Sequence, residues 1–174
     1  MDELVFRKLK LSDKEAFKEA TENWDEAGKF QFFLGYNSEK SFEYYLQTLA
    51  DYEKGINLPK DHVPSTKLFA FIGKDIVARS SIRHELNNFL HSIGGHIGYG
   101  VFPKFRRKGI ATKILTQSLE ICKELGLDKV LVTCDDDNIG SIRTIKNNNG
   151  VLENKVPYGD SKVLKRRYWI SLKS

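Results

Sequence analysis

"GGHIGYGVFPKFRRKGIATKIL", Gly94 to Leu115, runs from an alternating strand through a cationic loop into a helical apolar pattern. Gly95, Ile97, Tyr99 and Val101 share one face of the strand and His96 takes the other. Phe102-Pro103 end it. Arg106, Arg107 and Lys108 then precede Gly109. From there Ile110, Ala111, Ile114, Leu115, Ser118, Leu119, Cys122 and Leu125 recur with helical period up to Gly126. Three adjacent cations repel one another, so the loop asks for an anion. The first amides of a helix lack internal partners and carry partial positive charge. A glycine there lets an anion approach closely, and the small Ala111 keeps the next turn open. A pyrophosphate meets all of these conditions. The competing reading is a solvated basic loop capping a helix. The strand–loop–helix setting favours the anion.

Outward from this stretch the chain reads as alternating strands and helices. Leu4 to Leu11 alternates as a first strand. Ser12 and Glu15 have capping-box spacing before a helix carrying Phe17, Ala20 and Trp24, with Gly28 as its stop. A second helix is expected from about Ser38, with Phe42, Tyr45, Leu46, Leu49 and Tyr52 on one face and Gly55 closing it. Strands follow at Lys67–Gly73, Ile76–Leu86 and Ile93–Phe102, the first two joined by a tight turn at Gly73-Lys74. After the amphipathic helix, Lys129–Cys134 reads as a buried strand. Asn138–Asn148 reads as a helix, and Val151–Val156 and Leu164–Leu172 as two final strands. In the last one Leu164, Tyr168, Ile170 and Leu172 share a face interrupted by Arg166, and its free side would suit a homodimer edge.

The 174 residues suit one domain, taken as 1–174, with 40% hydrophobic and 29% charged residues. The net charge of +5 mildly favours anionic ligands and is too small to indicate nucleic acid. Two cysteines without CxxC spacing and four scattered histidines indicate neither a disulfide framework nor a metal site. The charged N-terminus does not read as a signal peptide. The longest apolar run, Leu68–Ile72, cannot span a bilayer. A cytoplasmic protein with no membrane partner is the expectation.

Arg106, Gly109 and Ala111 match Arg/Gln-x-x-Gly-x-Gly/Ala, the signature of the GNAT family of acetyl-CoA-dependent acyltransferases, which this chain resembles. The likeness is most specific from Gly94 to Gly150 and includes "KVLVTCDDDNIGSIRTIKNNNG". It implies an α/β fold with a central mixed, mostly antiparallel sheet of about seven strands flanked by about four helices. It implies that acetyl-CoA is the co-substrate and that the fourth and fifth strands splay apart around pantetheine. By the same likeness the amides of Arg107, Lys108, Gly109, Ile110, Ala111 and Thr112 hold the pyrophosphate beside Arg106. The backbone of Val101 meets pantetheine, and Asn138 contacts the cofactor with Ser141 one turn on. Many members carry a tyrosine in the helix after the fifth strand as acid for the leaving thiolate. Here Ile145 stands at about that position.

Acyl transfer to an amine needs a neutral nucleophile, and histidine is the ordinary base near neutral pH. His96 reads either as that base or as a packed histidine. Tyr99 reads as a donor to the thiolate, as a residue lining the acceptor pocket, or as a core tyrosine. Asp135, at the end of the fifth strand, reads either as a lure for a cationic amine or as part of a solvated acidic run with Asp136 and Asp137. Phe30, Phe32, Phe33 and Tyr36 wall an acceptor pocket or fill a core. Cys134 has no base in sequence reach, and Cys122 falls on the apolar helical face. The expected function is transfer of acetyl from acetyl-CoA to a primary amine, on a small molecule or peptide, by direct attack. A non-catalytic acyl-CoA sensor is the alternative, motivated by the missing tyrosine. A nucleic-acid module, resting on the Lys104–Lys108 and Lys165–Arg167 clusters, is the third reading and lacks any supporting motif.

Overall fold

The computed structural model describes residues 3–24 and 30–173. Among these residues seven strands form two antiparallel sheets. The first has the order β1 (Leu4–Arg7), β2 (Ser65–Ile72), β3 (Asp75–Arg83), β4 (Ile97–Val101). The second has the order β5 (Lys129–Asp135), β7 (Lys165–Ser171), β6 (Val151–Val156). Four α-helices join them: α1 (Lys14–Glu22), α2 (Phe42–Glu53), α3 (Ile110–Glu124) and α4 (Ile139–Asn147).

The alternation of β2 and β3 sorts the core into two layers. Leu68, Ala70, Ala78 and Ile82 pack with Ile114, Leu115 and Cys122 of α3 and with Val130, Val132 and Tyr168 of the second sheet. Phe69 and Phe71 turn to the opposite face and pack with Phe17 of α1, Phe42 and Tyr45 of α2, and Phe32. Ile114, Leu115 and Ile145 are completely buried, each contributing about 1.5–3 kcal/mol. The register between β2 and β3 slips at Ala70/Phe71, so that Phe71 faces Ile76 and Ala70 faces Ala78. Val77 is the extra residue, a bulge at the end of the strand pair.

Several expected boundaries move. The first strand stops at Arg7 because Asp13 draws the chain into a turn: its carboxylate accepts from Arg7 and from the Lys10 amide. Ser12 therefore does not cap α1. Asp13 occupies the N-cap position. The second helix starts at Phe42 rather than near Ser38, capped by Ser41, whose hydroxyl accepts from the Tyr44 amide. The fourth strand starts at Ile97 rather than Ile93, because Leu90–Gly94 closes into a π-helical turn and Gly95 is left-handed. The expected stop at Gly28 lies outside the described residues. The final strand is not an edge. β7 inserts between β5 and β6, which leaves β6 outermost, with Val151 and Leu152 exposed. The dimer-edge expectation for the last strand fails on that order.

Candidate active site

The two sheets meet at one joint. The His96 amide donates to the Leu131 carbonyl (2.7 Å), and the Leu131 amide donates to His96 Nδ1 (2.9 Å). No ladder pairs β4 with β5 beyond it, and the strands part into a cleft of about 1020 Å³. Ile97 to Val101 form one wall, Thr133 to Asp135 the other, and the first turns of α3 and α4 close the end. Gly95 makes the joint possible: a Cβ there would sit 2.7 Å from the Leu131 carbonyl oxygen.

His96 is part of this joint and does not line the cleft. Its Nδ1 accepts a hydrogen bond, which places the proton of the neutral ring on Nε2. Burial, helped by the charge of Arg83, pushes its pKa down to about 4. His96 thus ties sheet to sheet as an uncharged ring.

Tyr99 lies in the cleft wall. Its hydroxyl is buried and has no hydrogen-bond partner of normal geometry among the described residues. Burial pushes its pKa up to about 12, against the weaker opposing pull of Ser141 and Thr144 nearby on α4. A buried hydroxyl without a well-formed partner is costly. It is protonated at neutral pH and can donate. Ile145, by contrast, is completely buried in the core and presents nothing to the cleft.

The cationic loop is built from two left-handed residues, Arg107 (φ 63°) and Gly109 (φ 76°). They turn the chain so that α3 begins with no side-chain cap. Beyond its immediate chain neighbours, no atom of the described residues lies within 4 Å of where a Cβ on Gly109 would stand. The open space and the uncapped amides of a 15-residue helix fit an oxyanion. Val101, Arg106, Arg107, Gly109, Ile110, Ala111, Thr112, Asn138 and Ser141 all line the cleft. Lys108 does not, and its ammonium lies over the Phe105 ring at 5.6 Å. Arg106 turns inward: its Nε donates to the Val101 carbonyl (3.0 Å), pinning the loop to the end of β4. Asn138 caps α4, its Oδ1 accepting from the Ser141 amide (3.0 Å).

Asp135 lines the cleft in an ion pair with Lys165 (2.6 Å). Asp136 pairs with Lys155 and Arg166, and Arg167 with Glu153, so the Lys165–Arg167 cluster is matched by acids. Cys134 also lines the cleft, with its thiol pushed up to about 11 by burial.

Other lining residues were not read as part of a site from sequence: Gly98, Gly100, Arg143 and Thr144, with Lys165 noted only within a basic cluster. Gly100 had a readable signal, a glycine within a strand. A Cβ there would meet the Phe30 ring at 2.4 Å, so Phe30 lies directly on the β4 backbone. Phe30 joins Trp24 as the aromatic rim of the cleft, whereas Phe32 is core.

Comparisons with known proteins bear on the family and the fold. A family profile described as "Acetyltransferase (GNAT) domain" matches residues 3–150. No curated protein sequence matches the chain. Among solved structures, the microcin self-immunity acetyltransferase MccE in complex with acetyl-CoA and AMP is similar at TM-score 0.69 and 16% identity, over 99% of this chain and 94% of that one. A GNAT-family acetyltransferase from Streptococcus pneumoniae is similar at TM-score 0.67 and 14% identity, over 98% and 100%. The acetyltransferase yncA from Salmonella typhimurium, with acetyl-CoA, is similar at TM-score 0.65 and 13% identity, over 98% and 94%. The profile spans most of the chain and these folds coincide with it end to end: the protein belongs to the GNAT acetyltransferase family.

Proposed function

We propose that the protein transfers acetyl from acetyl-CoA to a primary amine, on a small molecule or peptide, within the cleft between β4 and β5, and that residues 1–174 act as one domain. The observation that carries this is the uncapped, glycine-opened start of α3 at the mouth of a cleft whose wall holds an unpartnered tyrosine hydroxyl. Bound acetyl-CoA supplies an activated acyl carbon and a sulfur leaving group. The amides of the Arg107–Thr112 loop and the charge of Arg107 hold the pyrophosphate. Arg106 fixes the loop to β4 through the Val101 carbonyl. The splayed β4 wall leaves Val101 facing the cleft beside Tyr99.

Tyr99 supplies the proton for the departing sulfur. Its raised pKa keeps that proton in place across the physiological range, and the thiolate's own acidity makes the demand modest. Ser141 and Thr144 on α4 lie near its hydroxyl. Tyr99 thus stands in for the tyrosine that Ile145 replaces. Among the described residues no histidine lines the cleft. The acceptor therefore enters as the free amine or loses its proton through water beside Asp135. The two buried thiols, Cys122 and Cys134, fit a reducing, cytoplasmic setting.

The test is release of CoA from acetyl-CoA across a panel of amines, with the N-acetyl product identified by mass. The expected result is amine-dependent release. Its kcat/KM should rise with pH toward the acceptor's own pKa, with no inflection from a histidine near 6.5. Tight acetyl-CoA binding without product from any amine would make the protein an acyl-CoA sensor instead.

A further inference from the structure

Across β2, β3 and β4 one row of the α1/α2 face reads Lys67, Ser81, Gly98, paired in register. Two arginines on β3 flank it, Arg79 and Arg83. Lys67 is 6% exposed and Arg79 is 3% exposed. Among the described residues no carboxylate pairs with any of these three cations. Arg79 donates to the carbonyls of Phe32 and Gln31. Arg83 donates to the carbonyls of Gly94 (3.3 Å) and Gly95 (3.2 Å). Among the described residues Lys67 donates only to the Ser81 hydroxyl (2.5 Å). That bond draws the ammonium across β3 toward Gly98, which lines the cleft. Arg83 converges from the other side: its two terminal nitrogens lie 3.6 and 3.8 Å from where a Cβ on Gly98 would stand.

Burying a lysine beside two arginines without an anion is among the costlier arrangements a core can hold, and an apolar side chain of similar size would relieve it. Burial and the two arginine charges hold the Lys67 pKa well below its ordinary value. The cluster makes chemical sense if an anion completes it. Gly98 is the one position in the row without a side chain, and it is the one that lines the cleft, with the Arg83 guanidinium against it.

Resting on the acetyltransferase reading above, we propose that the acceptor amine carries an oxyanion, a carboxylate or a phosphate, that seats over Gly98 against Arg83, Ser81 and Lys67. The substrate class is then an anionic amine of the amino-acid or amino-phosphate kind, with its anion on the β3 side and its amine toward the gap between β4 and β5. A polyamine or other purely cationic acceptor is disfavoured by the positive charge of the Lys67, Arg79 and Arg83 cluster.

The test uses wild-type protein, Lys67→Met and Arg83→Gln, each first titrated with acetyl-CoA and then held at saturating CoA so that the α3 loop is occupied. Inorganic phosphate, sulfate and acetate are added while melting temperature is read. The expected result is stabilisation of the wild type by at least one oxyanion, lost in Lys67→Met and weakened in Arg83→Gln. Turnover is then compared for matched amines: tyramine against tyrosine, and ethanolamine against O-phosphoethanolamine. The anionic member should be favoured at least about tenfold in kcat/KM, and the preference should vanish in Lys67→Met. The two pairs separate carboxylate from phosphate. Lys67→Met removes a buried charge and leaves the protein folded, and its unchanged acetyl-CoA affinity checks this. Equal response of wild type and Lys67→Met to every oxyanion overturns the subsite. Absence of acetyl-CoA affinity in the folded wild type overturns the acetyltransferase reading instead.

Discussion

The protein carries two concentrations of positive charge on either side of one cleft, and they obey opposite rules. Arg107 and Lys108 stand exposed in the loop before α3, where water and salt screen their repulsion and each costs little. Lys67 and Arg79 lie inside the sheet, and no carboxylate among the described residues pairs with them. There an unmatched charge costs several kcal/mol. The exposed group works with backbone amides and needs only proximity to its anion. The buried group must have its anion delivered, and so it discriminates among acceptors.

The sharpest way to break the comparison is at Tyr99, which stands between the two. Tyr99→Phe should lower kcat on the order of 10²-fold, the usual contribution of a positioned proton donor. Acetyl-CoA affinity should stay unchanged. Stability should be held or slightly raised, because the unpartnered hydroxyl is gone. An unchanged kcat would remove Tyr99 from the proton path. Next in size, Gly109→Trp fills the open space at the start of α3 and should weaken acetyl-CoA binding about 10²-fold, or about 2.7 kcal/mol. It should leave the acceptor KM nearly unchanged. The left-handed φ of 76° adds about 1–2 kcal/mol of strain to the fold, which a melting curve measures separately.

Lys67→Met tests the buried side through stability. The folded pKa of Lys67 lies below its unfolded value of about 10.5. The unfolded chain therefore binds more protons between those two values. Wild-type stability without ligand should rise with pH through that window, and it is at its lowest below it. Arg79, Arg83 and Ser81 face the ammonium, and none supplies a negative charge. Lys67→Met should flatten this slope and be about 1 kcal/mol more stable at neutral pH. Urea melts across pH read both effects, and a destabilised variant would show that the lysine has an internal counter-charge. The smallest effect belongs to the exposed side. Arg107→Gln should weaken acetyl-CoA about threefold at low salt, with the difference shrinking as salt rises. A large, salt-insensitive loss would mean that the loop cation is not screened as its exposure requires.

The same contrast explains what could be read from the sequence. The loop was legible because its parts are contiguous: a strand end, three cations, Gly109 and an amphipathic helix within a few turns. The fold followed from such local patterns, and its misplacements are local too. Asp13 captured the turn from Ser12 through a partner on β1, and Gly94-Gly95 ended in a π-helical turn rather than extending a strand. The buried cluster was illegible because strand register assembles it. Lys67, Arg79 and Arg83 each look like an outward charge on an alternating strand, and only the pairing of β2 with β3 and the cover of α2 turn them inward. His96 was legible as a face and not as a joint, because its partner Leu131 lies 35 residues on. β7 looked like an edge because chain order hides its insertion between β5 and β6.

The central claim, that the start of α3 faces a CoA pyrophosphate, is tested most directly by calorimetric titration of acetyl-CoA into the wild type and Gly109→Trp, with desulfo-CoA and ATP as controls. The account predicts wild-type affinity near micromolar, on the order of −8 kcal/mol, and a loss of about two orders of magnitude in the variant. No heat from a folded wild-type protein, or equal affinity in the two, would contradict it.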